Sequence, residues 1–397
     1  MADPSRLRLK YTGRQLEFNL EEAILQIESR KKYREKLKNF ISVPGIIFPD
    51  SLAGEQSSHE GVAKYHAELV KGALTLLDMS AGLGIDTIAF AKVCHKVIAI
   101  EINQHKARVL ENNLKKLSLN NVLVKEGNSI SFLENTKEVF DVIFVDPARR
   151  DSNLKRVYGL NDCEPHIPAN MILLSKKCRR LMIKASPLLD ISQTLRDFPC
   201  LSAIRVVGVK GECKEVLIEI NFGNNLNVEK DIHENSNVTQ DIILEAIDLD
   251  IRGIPVYRFT VSADDGNKID SSVQFAEITD IKNGVFIYEP SAMIMKLMPW
   301  NELSAVFKGI KKLDKSSHIF IGENLYNDFP GRITQIDKIL TKNDRKTLKG
   351  FPANIVSRNY PESADQLRKL FQLKEGKDNF IYATRVASKP VMILSKR

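Results

Sequence analysis

The chain has 397 residues with 43% hydrophobic content, and its 58 Lys and Arg against 50 Asp and Glu give a net charge of +8. That length exceeds one compact core and predicts two or three domains. No apolar run reaches the ~20 residues of a bilayer span, and the first residues, MADPSRLRLKYTGRQ, lack the apolar core of a signal peptide, so a soluble cytoplasmic protein is expected. Five cysteines, Cys94, Cys163, Cys178, Cys200 and Cys213, contain no CxxC pair, and the seven histidines no paired spacing; neither a disulfide framework nor a metal site is expected.

Residues 15–40 follow a helical pattern, and ESRKKYREKLKNF within them reads as a basic amphipathic helix that either touches RNA or forms a solvated face. Turn prolines follow, then a helix expected to start at Ser57 or Ser58, with Glu60 in its first turn. Next comes LLDMSAGLGIDT, residues 76–87. An apolar strand ends on Asp78, Ser80, Ala81, Gly82 and Gly84 form a tight turn of small residues, and a helix opens at Asp86 and Thr87. Such a turn admits a ligand close to the backbone and presents unpaired N–H groups. No Lys-Ser or Lys-Thr follows the last glycine, which excludes a phosphate loop. Asp86 would repel a pyrophosphate, which disfavours a dinucleotide. The turn alone leaves another Rossmann-type site open.

The next strands narrow the choice. KVIAIEI ends on the carboxylate of Glu101 beside Ile102, about twenty residues after the turn, where a ribose diol is held in folds of this kind. VLVKEGN ends on Gly127-Asn128, and VFDVIFVDPARR carries an apolar strand into Asp146-Pro147, the strand-end position at which an open α/β sheet places its chemistry. Over residues 64–222 these features resemble the class I S-adenosylmethionine-dependent methyltransferases, with Ser80 standing where motif I has its first glycine. The resemblance implies S-adenosylmethionine as cofactor, held by Asp78, Ser80, Ala81, Gly82, Gly84, Asp86, Thr87, Glu101, Ile102, Asn128 and Asp146. The adenine is then expected near Asn128.

The polar stretch after Asp146, RRDSNLKRVYGLNDCEPHIP, is too long for an ordinary connection and reads as a substrate-facing loop. RLMIKAS, a helix from Asp190, and the pair LSAIRVVGV and KEVLIEINF complete a sheet of the class I type. DIILEAID and IPVYRFTVS extend it or begin another layer. From residue 276 strands and helices alternate again, and ANIVSRNYPESADQLRKLFQLKEGKDNFIYAT resembles the C-terminal part of bacterial methyltransferases that carry a ferredoxin-like segment and a THUMP-like domain. The expected fold is α/β, a Rossmann-like class I methyltransferase core with an N-terminal helical segment and C-terminal α+β modules. The expected domains are 1–60 (helical), 61–275 (methyltransferase), 276–320 (ferredoxin-like) and 321–397 (THUMP-like).

Residues 305–397 hold 19 Lys and Arg against 9 Asp and Glu, so the rest of the chain is slightly acidic. A basic terminal module on a near-neutral core suits a polyanion held by its phosphates; a solvated lysine-rich surface is the plainer reading. THUMP domains bind RNA, so the resemblance implies RNA, ribosomal or transfer, as partner and substrate. Two acceptors remain open. Methylation of an exocyclic amine uses a strand-end tetrapeptide, here Asp146-Pro147-Ala148-Arg149 without the usual aromatic. Methylation of a ribose 2′-hydroxyl uses a Lys-Asp-Lys-Glu set, for which Lys64, Asp146, Lys184 and Glu215 stand in order. A cysteine nucleophile is missing before Pro187, which disfavours attack on pyrimidine C5. A non-catalytic RNA-binding protein on this scaffold and a small-molecule methyltransferase are the alternatives.

Overall fold

The computed structural model describes residues 3–11, 13–149, 160, 163–198, 201–223, 242–263, 273–341, 344 and 346–397. These form two compact units, Met1–Val256 and Tyr257–Arg397. Most of the loop expected to face substrate, and all of the polar stretch 224–239, lie outside the described residues.

The strands up to Ala263 are β1 (Thr75–Asp78), β2 (Lys96–Glu101), β3 (Val122–Glu126), β4 (Phe140–Val145), the two-residue pair β5 (Ala148–Arg149) and β6 (Cys163–Glu164), β7 (Cys178–Ala185), β8 (Leu201–Val209), β9 (Glu212–Asn221), β10 (Ile242–Leu249) and β11 (Pro255–Ala263). Nine of them form one sheet in the order β11-β10-β8-β9-β7-β4-β1-β2-β3, while β5 and β6 pair separately. From β3 to β7 neighbours run parallel. β9 is antiparallel to both β7 and β8, and β10 runs parallel to β8. This order, with an antiparallel strand inserted before the last of the core strands, is that of class I methyltransferases. DIILEAID and IPVYRFTVS extend the same sheet.

The central strands are apolar runs because helices cover both their faces. Leu76, Val97, Val142, Phe144, Met182 and Leu217 share a buried cluster with Phe90 of the helix Ile85–Ala91. The sheet's direction of winding reverses between β1 and β4, which leaves a crevice at their carboxyl ends, where Asp78 and Asp146 stand.

The helix expected over residues 15–40 is two pieces, Leu20–Lys32 and Lys38–Ser42. Tyr33 and Leu37 turn inward at the break. They join Phe40, Ile46 and Phe48 against Leu110 and Leu114. Glu60 caps the second piece by accepting the N–H of Asn39 (3.0 Å) and of Phe40 (2.6 Å).

In the second unit β12 (Phe286–Pro290), β13 (Lys311–Lys312), β14 (Phe320–Gly322), β15 (Gly331–Ile339), β16 (Asn354–Ser357), β17 (Asn379–Val386) and β18 (Lys389–Lys396) form a sheet in the order β13-β14-β12-β15-β18-β17-β16. The helix Ala364–Phe371 is capped by Ser363, which forms a capping box with Gln366. No described helix is long and apolar enough to cross a membrane.

Candidate functional site

The turn after β1 is held from three sides. Asp78 is buried; it accepts the Ser80 N–H (3.1 Å) and the Thr87 hydroxyl (2.5 Å). Burial, reinforced by Asp86 and Asp146 nearby, pushes its carboxyl up to about 7 against these two bonds. Ala81 donates its N–H to the Ile100 carbonyl (3.0 Å), which ties the turn to β2. Gly82 donates to Glu101 Oε2 (2.9 Å), and the Asn103 N–H donates to Glu101 Oε1 (2.9 Å).

Gly84 opens the helix Ile85–Ala91 at a φ of +85°, and a Cβ there would stand 2.2 Å from Leu110 Cδ1. Glycine is required by conformation and by packing alike. Gly82 has a φ of +54°, yet a Cβ there would meet nothing within 4 Å, and the same is true at Gly127. Open space beside a small-residue turn, with a fixed carboxylate at the end of the next strand, fits the ribose and amino-acid ends of S-adenosylmethionine. Each Glu101 oxygen keeps a lone pair for a hydroxyl beyond the N–H it accepts. Ile102 is 71% exposed beyond it, an apolar surface offered to a flat ring.

Three residues expected at the cofactor have other partners. Asp86 turns inward to His66 and Ser58, and Thr87 bonds Asp78. Exposed Asn128 caps the helix Ser129–Asn135, accepting the N–H groups of Ile130 (2.9 Å) and Ser131 (3.0 Å). These contacts explain the residue types as parts of the frame.

Across the crevice the Asp146 N–H donates to Ser80 Oγ at 2.7 Å. Asp146 Oδ2 accepts Lys184 Nζ at 2.5 Å, and Oδ1 has no protein partner among the described residues. Lys184 also donates to Ser58 Oγ (3.1 Å), and Ser58 donates to Asp86 Oδ2 (2.5 Å). His66, 0% exposed, donates from Nδ1 to Asp86 Oδ1 (2.9 Å) and from Nε2 to Glu215 Oε1 (2.5 Å). One continuous chain of bonds thus runs from Asp146 through Lys184, Ser58, Asp86 and His66 to Glu215. Burial alone would lower His66, but Glu215 and Asp86 push it up to about 10, so it stays an imidazolium. Burial would also lower Lys184, and Asp146, Glu215 and Asp86 reverse this, holding its amine above the ordinary lysine range. Asp146, desolvated and near Asp86 and Glu215, sits above the usual carboxylate range despite Lys184.

Of the expected Lys-Asp-Lys-Glu set, Asp146, Lys184 and Glu215 come together, and Lys64 does not. Lys64 lies on the exposed face of the helix Glu60–Leu69, and His66, on the buried face, holds Glu215 instead. The N-cap of that helix is His59, whose Nδ1 accepts the Gly61 N–H, which leaves the Ser58 hydroxyl for Lys184 and Asp86. Pro147 is half-buried directly after Asp146. The Arg149 side chain lies outside the described residues. Among the described residues no group of three His, Cys, Asp or Glu is placed to hold a metal ion.

The sheet order and the strand-end carboxylates on either side of the crevice define the class I S-adenosylmethionine-dependent methyltransferase fold. Comparison with known proteins agrees. Residues 64–186 match the family described as conserved hypothetical protein 95, residues 286–330 a ferredoxin-like domain and residues 331–397 a THUMP domain-like family. A Porphyromonas gingivalis W83 crystal structure, provisionally named as a methyltransferase, superposes with a TM-score of 0.82 at 24% identity, covering 100% of this chain and 94% of that one. The ribosomal RNA small subunit methyltransferase J of Coxiella burnetii is 29% identical over 167 residues, 36% of this chain and 65% of its own length. The ribosomal RNA small subunit methyltransferase D of Buchnera aphidicola is 31% identical over 106 residues, 26% of this chain and 48% of its own length. The chain therefore spans less than two thirds of either curated relative.

Proposed function

We propose that this protein is an S-adenosylmethionine-dependent methyltransferase acting on RNA, ribosomal or transfer, and that its acceptor is an exocyclic base amine. The observation that carries the reading is the pairing of the Glu101–Gly82 turn with a half-buried Asp146 whose Oδ1 has no hydrogen-bond partner among the described residues. Bound S-adenosylmethionine supplies a methyl already activated on a sulfonium. The protein's part is to bind, orient and manage one proton. Glu101 holds the ribose diol, and the open space at Gly82 and Gly127 receives the rest. Asp146 Oδ1 accepts an N–H of the amine, aims its lone pair, and takes the proton released once nitrogen is alkylated. Lys184 keeps Asp146 oriented through Oδ2.

A ribose hydroxyl is the second reading, favoured by the grouping of Asp146, Lys184 and Glu215. It requires a group that takes the hydroxyl proton. Lys184, ringed by three carboxylates, stays an ammonium and has no vacancy for it. RNA as substrate is supported by the excess of basic residues in 305–397, by the THUMP-like match over 331–397, and by the ribosomal RNA named for both curated relatives.

The test is incubation of the purified protein with methyl-labelled S-adenosylmethionine and total bacterial RNA. Label in RNA is the expected result. Label confined to small molecules, or none at all with cofactor binding shown separately, overturns the reading.

A further inference from the structure

A second concave site lies within the first unit, behind Lys184. It is a cavity of about 510 Å³ walled by residues 35–36 of the N-terminal segment, by residues 55–59 ahead of the helix Glu60–Leu69, and by the β8–β9 turn. The basic stretch singled out in the sequence therefore contributes Lys36 to a cavity that Lys184 also lines.

The charges around it are unevenly satisfied. Four glutamates face it, and three have cations of their own: Glu212 holds Lys214 (2.7 Å), Glu55 holds Lys32 (2.8 Å) and Glu215 holds His66 (2.5 Å). Glu35 is the fourth. On the cationic side, neither Lys36 nor Lys210 forms an ion pair among the described residues. Lys36 is half-buried and spends two N–H groups on the carbonyls of Gly54 (2.9 Å) and Glu55 (2.7 Å), which leaves the third. Burial and the neighbouring Lys184 and Lys214 bring its amine down to about 8. His59 lines the same cavity; its Nδ1 accepts the Gly61 N–H, so the ring proton sits on Nε2 as a further donor. Burial, Lys214, Lys36 and Lys210 lower its basicity too. These cations and donors crowd one another, and an anion between them would relieve the repulsion.

We propose that this cavity is a phosphate subsite, in which Lys36, Lys210 and His59 hold one or two phosphodiester groups of the RNA strand next to the nucleotide presented to Asp146. The assignment rests on the RNA reading above. Lys184 joins the two places, since the ammonium that orients Asp146 also lines the cavity. A seated phosphate fixes the strand's register and leaves base choice to other contacts.

Binding of a fluorescent single-stranded RNA 12-mer to the full chain tests this, measured from 50 to 200 mM salt with methyl transfer scored separately. Lys36→Gln combined with Lys210→Gln should weaken RNA binding about tenfold and lower the slope of log affinity against log salt by about one to two, as expected for two lost cation contacts to a single strand. Its affinity for S-adenosylmethionine should match wild type, which shows that the variant is folded. The charge-matched control Lys115→Gln with Lys137→Gln, on exposed positions elsewhere, should leave affinity and slope in place. Equal affinity and slope in wild type and the cavity variant overturn the proposal, as does a wild type that binds no RNA. Loss of inorganic phosphate binding with RNA binding unchanged assigns the cavity to a free anion and also overturns it. A wild type that binds RNA in the expected pattern but transfers no methyl group refutes the methyltransferase reading and leaves the subsite standing.

Discussion

Ser80 Oγ accepts the backbone N–H of Asp146 at 2.7 Å, so the turn after β1 is hydrogen-bonded directly to the backbone that carries the carboxylate proposed to face the acceptor. This gives a physical reason for serine where class I methyltransferases usually have glycine. The bond fixes the start of the Asp146-Pro147 segment relative to the turn that would lie against the cofactor. Ser80→Gly restores the usual residue and leaves the Asp146 N–H without its acceptor. A lost hydrogen bond of this kind costs about 1 kcal/mol. Transfer should fall by roughly five- to tenfold with S-adenosylmethionine affinity changed by less than twofold; calorimetry beside a transfer assay separates the two.

The two glycines of the turn should fail differently. Gly84→Ala meets both a φ of +85° and Leu110 at 2.2 Å, so it should destabilise the fold by about 2–4 kcal/mol in urea unfolding. Gly82→Ala enters open space at a φ of +54°, costs about 1 kcal/mol of backbone strain, and places its methyl where a ligand would lie. It should weaken S-adenosylmethionine binding by at least about tenfold, with little loss of stability. Glu101→Ala should weaken binding at least as much by removing the proposed ribose acceptor, and it should also lower stability by about 1–3 kcal/mol because two backbone N–H groups lose their partner.

Stability should decline from neutral to alkaline pH through His66. Its folded value of about 10 lies above its ordinary 6.5, so its contribution is complete below pH 6.5 and is lost as pH rises through 10. Asp78, raised to about 7, acts in the same direction between its ordinary 3.8 and 7. Urea midpoints should therefore fall between pH 6.5 and 10 by the equivalent of roughly 2–4 kcal/mol. In His66→Asn the starting stability should be lower and the alkaline slope flatter. A wild-type slope retained in that variant would remove His66 as its source.

Asp146 and Lys184 have separable roles. Asp146→Asn keeps the shape of the site but loses the proton acceptor, and transfer should drop by about 100-fold or more with cofactor binding preserved. Lys184→Met leaves the Asp146 carboxylate without its cation. The Asp146 carboxyl should then rise further, so the acid limb of the transfer profile moves up by about one pH unit or more. Complete loss of activity at every pH would instead make Lys184 the proton acceptor and favour the ribose hydroxyl.

Much of this frame is legible in the sequence because strand ends announce themselves. β1 and β2 are short apolar runs that stop on Asp78 and Glu101, β4 stops at Val145 directly before Asp146, and a buried parallel sheet demands such apolar runs. Small residues between β1 and its helix say equally plainly that the backbone turns tightly there, with Gly82 and Gly84 both at positive φ. The buried chain behind Asp146 is not legible in the same way. His66 looks like a lone core histidine, and its partner Glu215 lies 149 positions away, so only the fold brings them together. The helix Glu60–Leu69 offers Lys64 and His66 on different faces, and choosing between them requires its rotation, which Glu60 and His59 set through bonds to their neighbours. Asp86 and Asn128 carry residue types suited to a ligand and spend them on protein groups, which spacing alone does not reveal.

Methyl transfer to a base amine of RNA under the direction of Asp146 is tested most directly by mass spectrometry of nucleosides digested from RNA labelled by the wild-type protein and by Asp146→Asn. Wild type should yield a labelled N-methylated base and the variant none. A labelled 2′-O-methyl nucleoside, or equal labelling by both proteins, would contradict it.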